Sequence, residues 1–244
     1  MNILLEQKQT AIYITQKLYR FFVSDEKIDD KRVNELAKHF YNNNYDITSL
    51  LKKIFTSDWF YDEDVQGAKI KSPIELLVGY QRMLPLEYKN PKTSINLQRV
   101  LGQYLFYPPS VAGWPGGKNW IDSSTLVFRM RLPETLFASR EIDLSLKEID
   151  PEMGAMAKTM MQESKMDHKI KIGQAVADWT AYIAYWKKYN REELPEELAS
   201  YLLPVPISEE KLKQVKAYAD KDSDEEYIKS ITILLMQLPE YQLC

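Results

Sequence analysis

Apolar residues recur along this chain at spacings of three and four, the period of a helix with one buried face. Val33, Leu36, Ala37, Phe40 and Tyr41 form one such stripe. Asp29 or Asp30 is placed to cap its start, and the Asn42-Asn43-Asn44 run ends it. Asp46 heads a second stripe carrying Leu50, Leu51, Ile54 and Phe55. In Ser72-Pro73-Ile74-Glu75 the serine suits the N-cap, the proline the first helical position, and the glutamate completes a capping box. That start predicts a helix through Leu76, Leu77, Tyr80 and Met83 that stops before Pro85. A helix over about Ser94–Phe106 closes at Pro108-Pro109. Asp122 heads a helix through Leu126 and Met130 that ends before Pro133. Asp150-Pro151 opens another. Asp178 precedes the stripe of Trp179, Tyr182, Ile183 and Trp186. Ser223 and Glu226 suit a capping box for a last helix carrying Tyr227, Ile228, Ile231, Leu234, Leu235 and Leu238, which Pro239 stops.

Two stretches change period. Ile142, Leu144 and Leu146 alternate, as do Ile170 and Ile172, which suits short strands pairing as one small ribbon around a methionine-rich helix. The pattern as a whole predicts an all-α protein, an irregular array of about ten helices with one small two-stranded β ribbon. It reads as a single domain over residues 1–244, with a sub-boundary near 140–150.

The helical signal breaks in PPSVAGWPGGKNWIDSS, residues 108–124. The chain has 12 prolines and 8 glycines, and three of each fall between Pro108 and Gly117. Trp114 and Trp120 lie in the same loop. The prolines bias the backbone toward extended geometry, and the glycines permit positive φ and close approach. Two readings stand. In one, Trp114 and Trp120 are stacking platforms for a sugar or peptide, with Lys118, Asp122 and Arg129 as polar partners. In the other, the loop is an Ω-like connector whose tryptophans plug the core.

Composition narrows the function classes. Apolar residues at 45% and charged residues at 27% describe a chain that buries a core rather than a disordered one. The formal charge of −3, without a basic stripe, argues against nucleic acid as a partner. The longest apolar run, about Ile231–Met236, falls short of the ~20 residues that span a bilayer, so no transmembrane segment is expected. MNILLEQKQT lacks a basic leader followed by an apolar stretch, so it does not read as a signal peptide. The single cysteine, Cys244, excludes an internal disulfide and a cysteine-based zinc site.

Other motifs reduce to bland readings. Gly113 to Asn119 echoes a phosphate-binding loop, but the spacing is one residue short, Asn119 replaces Ser/Thr, and a helix precedes it. Asp62-Glu63-Asp64-Val65-Gln66-Gly67 opens like a calcium loop, yet its twelfth position is Pro73, where a bidentate Glu is needed. Met153, Met156, Met160 and Met161 form a stripe suited to core filling or, as the minority reading, to docking another protein. His39 and His168 belong to no metal-ligand spacing. No cofactor or metal is implied, and no residue set marks a catalytic centre.

Three stretches in order, KLYRFFV (17–23), IKSPIELLVG (70–79) and LGQYLFYPPSVAGWPGGKNWIDSSTL (101–126), resemble the bacterial family catalogued as domain of unknown function 1800. Residues 140–244 are similar to the more variable part of members from the Bacteroidetes. The resemblance runs over the whole chain and corresponds to the C-terminal half of typical members, which carry a signal peptide and a further helical region ahead of it. It implies an exported family, often encoded beside a sulfatase- or alkaline-phosphatase-like companion, and supplies no catalytic residue. The expectation is a non-catalytic helical partner or scaffold module of the bacterial envelope. The alternatives are a carbohydrate-binding or carbohydrate-processing protein using the Trp/Gly-rich loop, and a purely structural domain.

Overall fold

The computed structural model describes residues 2–138, 142–145, 169–172 and 175–244. The methionine stripe, the helix opening at Asp150-Pro151, Leu146, His168 and most of the expected sub-boundary near 140–150 lie outside them. The chain divides into two compact units, Met1–Ile70 with Leu243–Cys244, and Lys71–Gln242.

The first unit holds α1 (Asn2–Leu5), α2 (Lys8–Phe22), α3 (Asp30–Asn42) and α4 (Ile47–Phe55), then a 3₁₀ turn at Asp58–Tyr61. Asp29 caps α3 by accepting from the Lys31 and Arg32 N–H groups, and Asp46 caps α4 through Thr48 N–H. The stripe of α3 buries Val33, Leu36, Ala37 and Phe40 against Ala11 and Tyr19 of α2 and Leu50 and Ile54 of α4. Ile70 pairs with Leu243 in an antiparallel bridge, which ties the last residues to the end of this unit.

The second unit begins with α5 (Pro73–Met83), whose capping box between Ser72 and Glu75 forms in full. Then come β1 (Leu86–Tyr88), α6 (Lys92–Val100), a long loop with a 3₁₀ turn at Gly117–Trp120, and α7 (Ser123–Phe137). After β2 (Ile142–Ser145), β3 (Lys169–Ile172) and β4 (Ala175–Ala177), the chain runs through α8 (Thr180–Trp186), α9 (Leu194–Leu202), α10 (Glu209–Tyr218) and α11 (Asp224–Met236). A 3₁₀ turn at Pro239–Gln242 follows. Eleven α-helices among the described residues make the fold all-α.

The expected ribbon forms: β2 and β3 are antiparallel, with Ile142 opposite Ile172 and Leu144 opposite Ile170. A second short pair, β1 with β4, places Leu86 opposite Ala177 and Tyr88 opposite Ala175. Its three-residue strands are too short to show a period, so the sequence pattern did not reveal it. The core lies under α11. Ile231 and Leu235 are fully buried with Leu76 and Tyr80 of α5, Leu132 of α7 and Leu198 of α9.

Two helix boundaries differ from those the spacing predicts. The α6 helix stops at Val100 rather than Phe106. Gly102 adopts φ +87, Gln103 N–H donates to Gln98 O at 3.0 Å, and Gly102 N–H donates to Arg99 O at 3.1 Å. This is a Schellman ending, which glycine adopts without a Cβ penalty. The α7 helix continues through Pro133 to Phe137. A proline inside a helix removes a ladder hydrogen bond at about 3 kcal/mol. Leu132, Leu136 and Phe137 are all buried around it, and each such side chain contributes about 1.5–3 kcal/mol. Burial on both sides of Pro133 therefore outweighs the lost bond.

Candidate functional site

The loop between α6 and α7 is held firmly at both ends. At its start Gln98 Oε1 accepts from Leu105 N–H at 3.1 Å, and Gln103 Oε1 accepts from Ile74 N–H, in the first turn of α5, at 3.0 Å. At its end Asp122 and Thr125 form a capping box. Asp122 Oδ1 accepts from the Ser124 and Thr125 N–H groups, each at 2.8 Å, and Asp122 N–H donates to Thr125 Oγ1 at 2.8 Å. Ser124 Oγ donates to the same carboxylate oxygen at 2.6 Å. Between these anchors the backbone turns on itself, with Tyr107 N–H on Tyr104 O and Gly113 N–H on Ser110 O, both 3.0 Å.

The sequence-derived site residues fall into different environments. Trp120 is 8% exposed, so its ring is not offered to solvent as an open platform. Trp114 is half-buried and Lys118 exposed. Asp122 is exposed, but its carboxylate is engaged in capping α7. Arg129 is fully buried. Its Nε donates to Gln242 Oε1 at 3.0 Å and its Nη2 to the Lys71 carbonyl. Burial pulls the guanidinium below its usual pKa, with Tyr80 and Glu75 opposing. Asp122 and Arg129 are about 10 Å apart along the helix axis. The loop thus gathers Trp114, Lys118, Trp120 and Asp122 in sequence, while Arg129 faces the interior.

The structure also exposes residues that the sequence pattern had assigned to a helix. Leu105 and Phe106, with Val111 beyond the proline pair, project into solvent. Phe106 is 95% exposed and adopts φ +64, a left-handed conformation that L-residues other than Asn and Asp rarely take. Gly102 was the legible signal here, because a glycine just past a helical run marks a C-terminus.

No group of three or more His, Cys, Asp or Glu capable of holding a metal occurs among the described residues. Asp62, first residue of the calcium-like stretch, pairs with Arg32 at 3.5 Å. His39 bonds through Nε2 to Ser49 Oγ at 2.9 Å and lies 3.3 Å from Asn43 Nδ2, a local structural role. No helix among the described residues is long and apolar enough to cross a membrane.

A helical protein with a braced, aromatic and proline-rich loop is the class these features define. The sequence model of the family "Protein of unknown function (DUF1800)" matches residues 1–243, and the chain belongs to that family. No curated protein and no solved structure matches it.

Proposed function

We propose that this chain is a non-catalytic helical partner module of the bacterial envelope that docks through the α6–α7 loop. The observation that supports this reading is Phe106. A large ring stands in solvent on a left-handed backbone, so it forgoes the burial that would stabilise it and carries strain of about 1–2 kcal/mol as well. Strain of this kind collects at functional positions. Leu105, Pro108, Pro109 and Val111, which flank it in sequence, are exposed as well, and apolar exposure that gathers into a patch marks protein contacts. The hydrogen bonds at the loop's ends reduce the ordering that docking would otherwise require.

The partner we name is the sulfatase- or alkaline-phosphatase-like companion that the family resemblance implies. A single variant pair tests it. Phe106→Asn keeps a residue that tolerates the left-handed region, and Val111→Ser removes the second apolar contact. Both positions are exposed and asparagine relieves the backbone strain at 106, so thermal stability should not fall. Co-expression of the full chain with the companion, followed by size-exclusion chromatography with light scattering, should show a complex. The double variant should weaken it roughly tenfold or more, as loss of an aromatic anchor does. Absence of a complex with the wild-type chain, or equal affinity of the variant, would remove this reading. Carbohydrate binding then becomes the next assay, with Trp114 as the accessible ring.

A further inference from the structure

The helix α2 has two contrasting faces. Ala11, Thr15 and Tyr19 recur every four residues and are buried, Ala11 and Tyr19 in one cluster with Val33 and Phe40 of α3. Tyr13, Lys17, Arg20 and Phe21 fall at i, i+4, i+7 and i+8, which gathers them into a stripe on the opposite side. All four are exposed, Tyr13 at 56% and Phe21 at 63%. The Lys17 ammonium stands 5.4 Å from the Tyr13 ring centre, so the stripe is continuous at that step. At its other end Lys69 Nζ donates to the Phe21 carbonyl and stands 4.9 Å from the Phe21 ring centre, which brings a further cation to the stripe.

The charge on this face has one sign. Lys8–Phe22 contains no Asp or Glu, and its charged residues are Lys8, Lys17 and Arg20. Among the described residues no carboxylate pairs with these three or with Lys69. The chain as a whole is acidic, with a formal charge of −3, so its composition does not account for this local excess of cations. Tyr13 and Phe21 stand outside the buried cluster and are not needed to fill it.

We propose that this face rests on an anionic lipid surface, with Phe21 and Tyr13 entering the boundary between headgroups and acyl chains, and Lys17, Arg20 and Lys69 on the headgroup phosphates. Rings beside long basic side chains suit that boundary. The ring enters the apolar layer while the ammonium or guanidinium reaches back to the phosphates. A folded protein partner of ordinary affinity needs about 20–30 residues on each side with matched relief. The stripe is one helix face wide, and a bilayer requires no matched relief. The α6–α7 loop belongs to the other unit, so this contact does not depend on the docking proposed above.

Cosedimentation of the full chain with lipid vesicles tests this. Vesicles of phosphatidylglycerol and phosphatidylcholine in equal parts should carry the protein down at low salt. Pure phosphatidylcholine vesicles should bind it roughly tenfold more weakly or less. Raising NaCl to about 0.5 M should release most of the bound protein. Lys17→Glu with Arg20→Glu should weaken binding to the anionic vesicles about tenfold or more, and Phe21→Ser about fivefold or more. Lys188→Glu with Lys213→Glu, an equal change of charge in the second unit, should bind as the wild type does. All five positions are exposed, and thermal unfolding of each variant verifies its fold. The proposal is overturned if the wild-type chain stays in the supernatant with both vesicles, if neutral vesicles match anionic ones, or if the α2 charge pair changes binding no more than the control pair. Full retention of binding by Phe21→Ser would overturn the seating of the ring in the lipid boundary. Absence of vesicle binding, with the α2 variants weakening a protein complex instead, would assign the face to a protein contact.

Discussion

Arg129 shows how one side chain can hold distant stretches of sequence together. It projects from the middle of α7, fully buried, and donates to the Lys71 carbonyl at the entry to α5 and to the Gln242 side chain in the final turn. Lys71 N–H in turn donates to Gln242 O at 2.8 Å, and Lys71 Nζ donates to Tyr241 O at 2.7 Å. Both acceptors of the guanidinium are neutral groups, so hydrogen bonds, together with the nearby Glu75 charge, offset the desolvation of the cation. Arg129→Ala leaves both acceptors without that donor and opens a cavity. It should cost about 3–5 kcal/mol in urea unfolding, and Arg129→Met should recover part of that by refilling the space. On the sequence alone this residue reads as a polar partner for the tryptophan loop. Its real neighbours lie 58 and 113 positions away, and helical spacing carries no information about them.

At the scale of the element, α7 depends on its ends more than on its pattern. Its apolar positions go nearly all round, as expected of a helix enclosed on several sides, and Pro133 interrupts its ladder. The Asp122 cap therefore matters. Asp122→Ala removes a carboxylate that accepts from two backbone N–H groups, and should destabilise the fold by about 1–2 kcal/mol; Asp122→Asn should restore most of it. A full loss of loop-mediated binding in a still-folded Asp122→Ala protein would add a ligand role to the cap. Capping signals were the most legible part of the chain: Asp29, Asp46, Ser72, Asp122 and Ser223 all cap the helices they precede. Where the reading of boundaries failed, at Gly102 and Pro133, a single residue was weighed against its neighbours in the wrong direction. A glycine able to take positive φ ended a helix early, and a proline with buried residues on both sides did not end one.

At the scale of the whole molecule, the core of the second unit carries an unusual load of buried phenols. Tyr80 is fully buried, and Tyr182 and Tyr241 are nearly so. Burial raises all three above the ordinary tyrosine value of 10.0. Each is neutral in the fold. Their contribution to stability is complete below the unfolded value and is lost as pH rises from about 10 toward the raised folded values. The melting temperature should hold between pH 7 and 9 and fall steeply above pH 10. Absorbance at 295 nm should show late ionisation of these rings, released together with unfolding. Phenols that titrate at the ordinary value without loss of structure would contradict their burial.

The chain by itself determined the class of fold, the starts of most helices, the β2–β3 ribbon and its family, because those rest on local periodicity, cap chemistry and contiguous motifs. Only the tertiary structure decided what faces solvent. It buried Trp120 and Arg129 and left Tyr13, Phe21 and Phe106 in the open. Exposure depends on which segments meet, and those meetings join residues far apart in sequence, where no repeat or spacing rule reaches.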